Sequence, residues 1–133
     1  MADSDICVLC KGDQETIDHL FFSCPFSTYL WALCRLKLGL PQSPSGSLHE
    51  EATLLQLLFK QKSKTSFLAR AALAATVWHI WKERNARTFQ FKEQHKILVF
   101  RSLFEDVRLM LKNCHWKSDT IQNQADALTN WEG

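Results

Sequence analysis

Glycine and proline are scarce in this 133-residue chain, four and three respectively. An all-β meander needs a turn every few residues, so that class is excluded early. No apolar run approaches the ~18 residues that span a bilayer. The opening Met-Ala-Asp-Ser-Asp-Ile is acidic and has no basic stretch followed by an apolar one, so no secretory leader is expected. These absences predict a soluble, intracellular chain with no membrane partner. Catalytic constellations are missing too: there is no nucleophile set beside a base and no phosphate-cradling glycine loop. Glu50-Glu51 and Glu105-Asp106 are adjacent pairs, which leave a helix on different sides and cannot flank one substrate bond. His79, between Trp78 and Ile80, reads as a core or helix-surface histidine, while His49 and His95 lie among polar neighbours and read as exposed. The expectation is a protein that is not an enzyme and takes no small-molecule substrate.

What is present suits one compact unit. Apolar residues make up 46% and charged residues 23%, and five Trp with nine Phe supply enough large apolar surface for one core. The net charge of +2 conceals an asymmetry. Residues 1–59 hold three basic and seven acidic side chains, residues 60–117 hold thirteen basic and four acidic ones, and the tail has three acids alone. A basic middle between acidic ends could attract a polyanion, could complement the chain's own N-terminal part, or could be solvated helix faces.

Five cysteines stand at 7, 10, 24, 34 and 114. The odd count, without a leader, argues against a secreted disulfide framework. Cys7 and Cys10 have Cys-x-x-Cys spacing, from which one tight turn can offer two corners of a tetrahedron. His19 and Cys24, on a following turn or short helix, can supply the other two. Such a Cys3His set is closed and structural. The alternatives are a redox pair, which usually opens a helix after a strand, and four unrelated residues. Cys34, in Leu30-Trp31-Ala32-Leu33-Cys34, reads as a small buried apolar residue, and Cys114 beside His115 as structural.

The stretch Cys7-Val-Leu-Cys10, Glu15-Thr16-Ile17-Asp18-His19-Leu20-Phe21-Phe22-Ser23-Cys24 and then Trp31 resembles the zinc-binding domain of plant non-LTR retrotransposon reverse transcriptases. That family shows Cys-x-x-Cys, Glu-Thr-x-x-His-Leu-Phe-Phe-x-Cys and a Trp. Trp78-His-Ile-Trp81-Lys82-Glu83-Arg84-Asn85 resembles its later Trp-x-x-Trp-Lys-x-Arg-Asn signature. The resemblance spans residues 5–90 and implies Cys7, Cys10, His19 and Cys24 as ligands of a structural Zn2+. No Asp-Asp pair of a polymerase is present, and the chain is too short for one, so it looks like a freestanding fragment of a retroelement.

Periodicity predicts a mainly α protein: a small Cys3His zinc module followed by a bundle of about four helices. Lys11-Gly12-Asp13 signals a turn, and Thr16 can cap a short helix carrying His19. Pro25, with Ser23 as a cap, starts a helix running to about Leu38, ended by Gly39 and Pro41, with Phe26, Leu30, Leu33 and Leu36 or Lys37 inward. The module with this helix occupies 1–39, a linker 40–48, and the bundle 49–133, as one compact unit overall. Within the bundle, helices are expected over 49–61, 65–88 and 92–113, with a short one after Ser118 ending near Leu128 and Trp131 tucked back. Phe67, Ala71, Ala74, Trp78, Trp81 and Asn85 are the inward stripe of the second, and Ile97, Phe100, Phe104, Val107 and Leu111 that of the third.

Two roles follow. The favoured one is an interaction protein, docking a protein partner or a second copy through the leucine-rich 52–59 segment and the 97–111 helix. The alternative is an RNA- or DNA-binding module. Lys82, Arg84 and Arg87 sit beside Trp78 and Trp81, and Lys60, Lys62 and Lys64 form a second basic cluster. Against it, the Trp residues could be core, with Arg84 or Asn85 bonded to the loop around the zinc.

Overall fold

A computed structural model describes residues 6–40, 47–58, 63–113 and Trp131. Its helices are α1 (Pro25–Lys37), α2 (Leu48–Leu58), α3 (Lys64–Asn85) and α4 (Lys96–Lys112). Two π-helical turns, His19–Ser23 and Ala86–Gln90, precede α1 and follow α3. Among the described residues the only β pairing is one isolated bridge, Ile6 with Gln14. The fold is mainly helical, as the periodicity implies.

Local chemistry explains where the helices begin and end. Pro25 occupies the first turn of α1, where its missing N–H costs nothing. The residue before it, Cys24, is extended and takes the cap position expected of Ser23, without a side-chain bond. Beyond α1, Gly39 has φ +79°, a left-handed conformation that favours glycine. Ser63 caps α3 by accepting from the Ser66 N–H at 3.1 Å, and the His95 ring nitrogen Nδ1 accepts from the Ile97 N–H at 3.1 Å to start α4.

Two apolar clusters share α1, α3 and α4. The larger joins Trp31, Cys34 and Leu38 to Leu55 of α2, Leu68, Ala72 and Ala75 of α3, Leu103, Val107 and Leu111 of α4, and Trp131. Trp131 lies 5.0 Å from Phe104, ring to ring, so it does fold back on the core. The smaller cluster gathers Leu9, Leu20, Phe26, Leu30, Ile80 and Val99 around Cys7 and Cys24. The N-terminal loop therefore packs directly on α3 and α4. Residues 41–46, the expected end of the 49–61 helix beyond Leu58, Cys114 with His115, and the helix after Ser118 lie outside the described residues.

Three inward faces differ from the sequence expectation. In α1 the buried set is Phe26, Ser27, Leu30, Trp31, Cys34 and Arg35, while Leu36 is 68% exposed. The face turns toward α2, where buried Glu51 accepts from Trp31 Nε1 and twice from Arg35 Nη1, at 2.5 and 2.8 Å. In α4, Val99 and Leu103 join Val107 and Leu111 inside, whereas Ile97 is exposed and Phe100 and Phe104 are half-buried.

The largest correction falls on α3. Of its expected stripe only Ala71 is buried; Phe67 and Asn85 are half-buried, and Ala74, Trp78 and Trp81 face out. The true inner face runs through Leu68, Ala72, Ala75, Thr76, His79, Ile80, Glu83 and Arg84. Apolar periodicity does not select this face, because its burial takes four polar side chains out of water. It is tolerated because each finds a partner: Thr76 donates to Ala72 O at 2.7 Å, His79 meets Asp106 at 2.6 Å, and Glu83 and Arg84 form ion pairs.

Candidate metal centre and the clamp around it

The chain from Ile6 to Cys24 forms no extended regular structure, so its turns decide where the ligands point. The Lys11 N–H bonds Cys7 O at 2.8 Å, and the Cys7 N–H bonds Asp13 O at 2.8 Å. Lys11 adopts a left-handed φ of 60°, which folds Cys10 back over Cys7. Thr16 then accepts from the His19 N–H at 3.0 Å, the cap that the sequence predicts. The π turn closes with the Cys24 N–H on His19 O at 2.6 Å, so its two ends carry the two remaining candidate ligands. Nothing in the residue pattern signalled that wider turn.

The result is a four-point cluster. One donor atom each from Cys7, Cys10, His19 and Cys24 lies within 4.8 Å of every other. Cys7 Sγ is 3.9 Å from Cys24 Sγ, and Cys10 Sγ is 3.3 Å from His19 Nε2. A disulfide needs ~2 Å between sulfurs, so Cys7 and Cys24 are not bridged. Metal–sulfur bonds of ~2.3 Å in a tetrahedron set corners about 3.8 Å apart, and the donor set fits that requirement. Cys7 and Cys24 are fully buried, while Cys10 and His19 are half-buried.

The three thiols differ in acidity. Burial raises Cys7, against backbone bonds from Cys10 and Leu9, and raises Cys24 to about 12. Burial also opposes ionisation of Cys10. There the backbone groups of Gly12 and Asp13 and the side chains of His19 and Cys24 outweigh it, bringing the thiol down to about 7. Two buried sulfurs thus resist charge unless a cation shares the cavity with them. Cys34, the fourth described cysteine, is pushed to about 12 by burial, bonds Thr76 Oγ1 at 3.4 Å and belongs to the core.

The basic residues proposed for nucleic acid divide into two groups. Arg84 turns inward: its Nε and Nη2 donate to Glu15 at 3.1 and 3.2 Å, with both side chains less than a tenth exposed. Arg87 donates to Glu83 Oε2 at 2.7 Å, to Leu9 O at 3.3 Å and to Gln94 O at 3.1 Å, and its guanidinium lies 5.0 Å from the Phe26 ring. Both arginines therefore grip the loop that carries the cysteines, as the bonded-to-the-loop alternative anticipates for Arg84. Lys82 is exposed, and Lys64 is half-exposed at the far end of α3. Lys60 and Lys62 lie outside the described residues. Glu15 and Glu83 were missed as functional partners. The signal for Glu15 was the opposite charge of the two halves of the chain, and for Glu83 its i, i+4 spacing to Arg87.

Residues 1–31 match the model of a family described as zinc-binding in reverse transcriptase. That stretch contains all four converging side chains and ends at Trp31, and the Trp78–Asn85 segment lies beyond it. No curated protein and no solved structure matches the chain. No helix among the described residues is long and apolar enough to cross a membrane.

Proposed function

We propose that the chain is a non-catalytic module held together by zinc, which binds an unpaired RNA or DNA strand along the outward face of α3. Zinc suits three thiolates and an imidazole better than the harder divalent ions do. Bound by Cys7, Cys10, His19 and Cys24, it would neutralise the sulfurs and tie the loop to the start of α1. The observation that carries the partner is the exposure of two tryptophans, Trp78 at 58% and Trp81 at 41%, on a helix whose opposite face is core. Lys82, one turn from Trp78, has no ion-pair partner among the described residues. An exposed indole face one turn from an ammonium group without a partner among the described residues suits a base next to its phosphate.

The test is fluorescence anisotropy with short single-stranded RNA and DNA at low and raised salt. The expected result is salt-sensitive binding, weakened about tenfold by Trp78→Ala, since each stacked base contributes ~1–3 kcal/mol. No binding at low salt, or an undiminished affinity in the variant, refutes the reading.

Docking of a protein partner or a second copy is the second reading. It is supported by Leu57, Leu98 and Leu109, which stand 60%, 43% and 55% exposed on α2 and α4. Light scattering tests it: a stable dimer without nucleic-acid affinity selects this reading over the first.

A further inference from the structure

A cavity of about 250 Å³ opens between α3 and α4 and is closed by the segment after the second π turn. His79, Lys82 and Glu83 line it from α3, Lys92 and Gln94 from the connecting segment, and Ser102 from α4. The backbone aims Lys92 there. Phe91 holds a left-handed φ of 53°, and the Lys92 N–H returns to Ala86 O at 3.1 Å, so the chain reverses across the mouth.

The acids near this cavity are already engaged. Glu83 Oε2 accepts from Arg87 at 2.7 Å and from the Gln94 N–H at 2.9 Å. Asp106 Oδ2 lies 2.6 Å from His79 Nε2. Lys82 and Lys92 have no such partner among the described residues, nor has the Ser102 hydroxyl. Two unpaired ammonium groups and a hydroxyl thus converge on one concavity, which concentrates positive potential where an anion can enter. Its volume lies just below the ~300–1,000 Å³ of ordinary ligand pockets, room for a phosphate with part of its sugar.

We propose that this cavity is a phosphate-binding site, in which Lys82, Lys92 and Ser102 hold one phosphate group. Trp78 precedes Lys82 by one helical turn, so a strand stacked on the tryptophans passes the cavity mouth. That source of the phosphate rests on the nucleic-acid reading above; a free phosphate or mononucleotide would offer the same chemistry.

Two measurements on the full chain separate the sources. The first titrates inorganic phosphate and a uridine monophosphate probe while following the amide signals of Lys92, Gln94 and Ser102. The second compares single-stranded oligomer binding by the wild type and the Lys82→Ala, Lys92→Ala double variant across salt. Both lysines are exposed, so the variant should melt with the wild type. The proposal expects shifts at those amides and at least about tenfold weaker oligomer binding in the variant. It also expects a salt slope smaller by about 0.7, the share of one phosphate on a single strand. Oligomer binding that the variant leaves intact overturns the cavity site and spares the nucleic-acid reading. Amide shifts with phosphate but no oligomer binding uphold the site and overturn that reading. Neither response overturns both.

Discussion

The ion pair between Arg84 and Glu15 is the place where a sequence expectation and the structure can be separated in energy. The Arg84 fork meets the Glu15 carboxylate through two bonds, 3.1 and 3.2 Å long, with both side chains almost wholly removed from water. Removing one member of a buried pair leaves the other charge desolvated, at a cost of about 3–5 kcal/mol. Arg84 also bonds Asn85 Oδ1 at 3.0 Å and stacks 5.1 Å from Trp81, and a cavity lined by Ile6, Lys11 and Thr88 opens beside it. The cost of Glu15→Ala should therefore sit near the low end of that range. The double variant removes both charges, so it should be about 2 kcal/mol more stable than the sum of the singles implies. Urea unfolding of the zinc-loaded protein, followed by tryptophan fluorescence, measures all four corners of the cycle. Additivity within about 0.5 kcal/mol, or an Arg84→Ala variant as stable as the parent, would refute the claim that this arginine is a structural clamp.

Cys10→Ser and His19→Ala should each abolish stoichiometric zinc by elemental analysis and speed amide exchange over residues 6–24 while α3 and α4 stay protected; a chelator-treated protein with an unchanged melt contradicts this. Zinc affinity should rise with pH, because binding displaces thiol protons. Near pH 8 Cys7 and Cys24 each release one, so competition with a chromophoric chelator should show about a hundredfold gain per unit; the slope should steepen below pH 7, where Cys10 is protonated as well, and a flat profile sinks the ligand assignment. Leu103→Ala should cost about 2–5 kcal/mol, and Trp78→Ala less than about 1 kcal/mol, by thermal unfolding; comparable losses would mean that Trp78 is core.

The candidate metal centre was legible because ligand chemistry is local: Cys-x-x-Cys fixes a turn, and a histidine and a cysteine five residues apart fit the next one. The limits of α1 were legible for the same reason, through Pro25 and Gly39. What periodicity misjudged was rotation. In α3, apolar residues recur on two faces, so the count of matches favours the clean stripe through Trp78 and Trp81. The competing stripe carries Thr76, His79, Glu83 and Arg84; Thr76 and Glu83 find partners four residues away, but His79 and Arg84 depend on Asp106 and Glu15, tens of residues away. Those pairings are tertiary facts. No window of sequence contains them.

The cysteine loop and the Trp-Lys-x-Arg-Asn segment are joined in the fold through Arg84 and Arg87. Loop residues 6–16 have little ladder bonding of their own beyond one isolated bridge and two turn bonds. A metal can fix the sulfurs, but Val8, Leu9 and Glu15 need an external surface to fix the loop around them. Arg84 and Arg87 supply it from the inner side at the C-terminal end of α3, while helical geometry turns Trp78 and Lys82 outward and leaves Trp81 at the seam, its ring 5.1 Å from the Arg84 guanidinium. One short segment is thus shared between scaffold and surface, and the division follows from 3.6 residues per turn. Substitutions on the inner side should change stability and metal retention together and leave partner affinity altered only as far as folding fails. Outward substitutions should do the reverse. A variant such as Lys82→Ala that released the metal, or Arg87→Ala that kept the metal and stability while losing nucleic acid, would show that the two faces are not divided in this way.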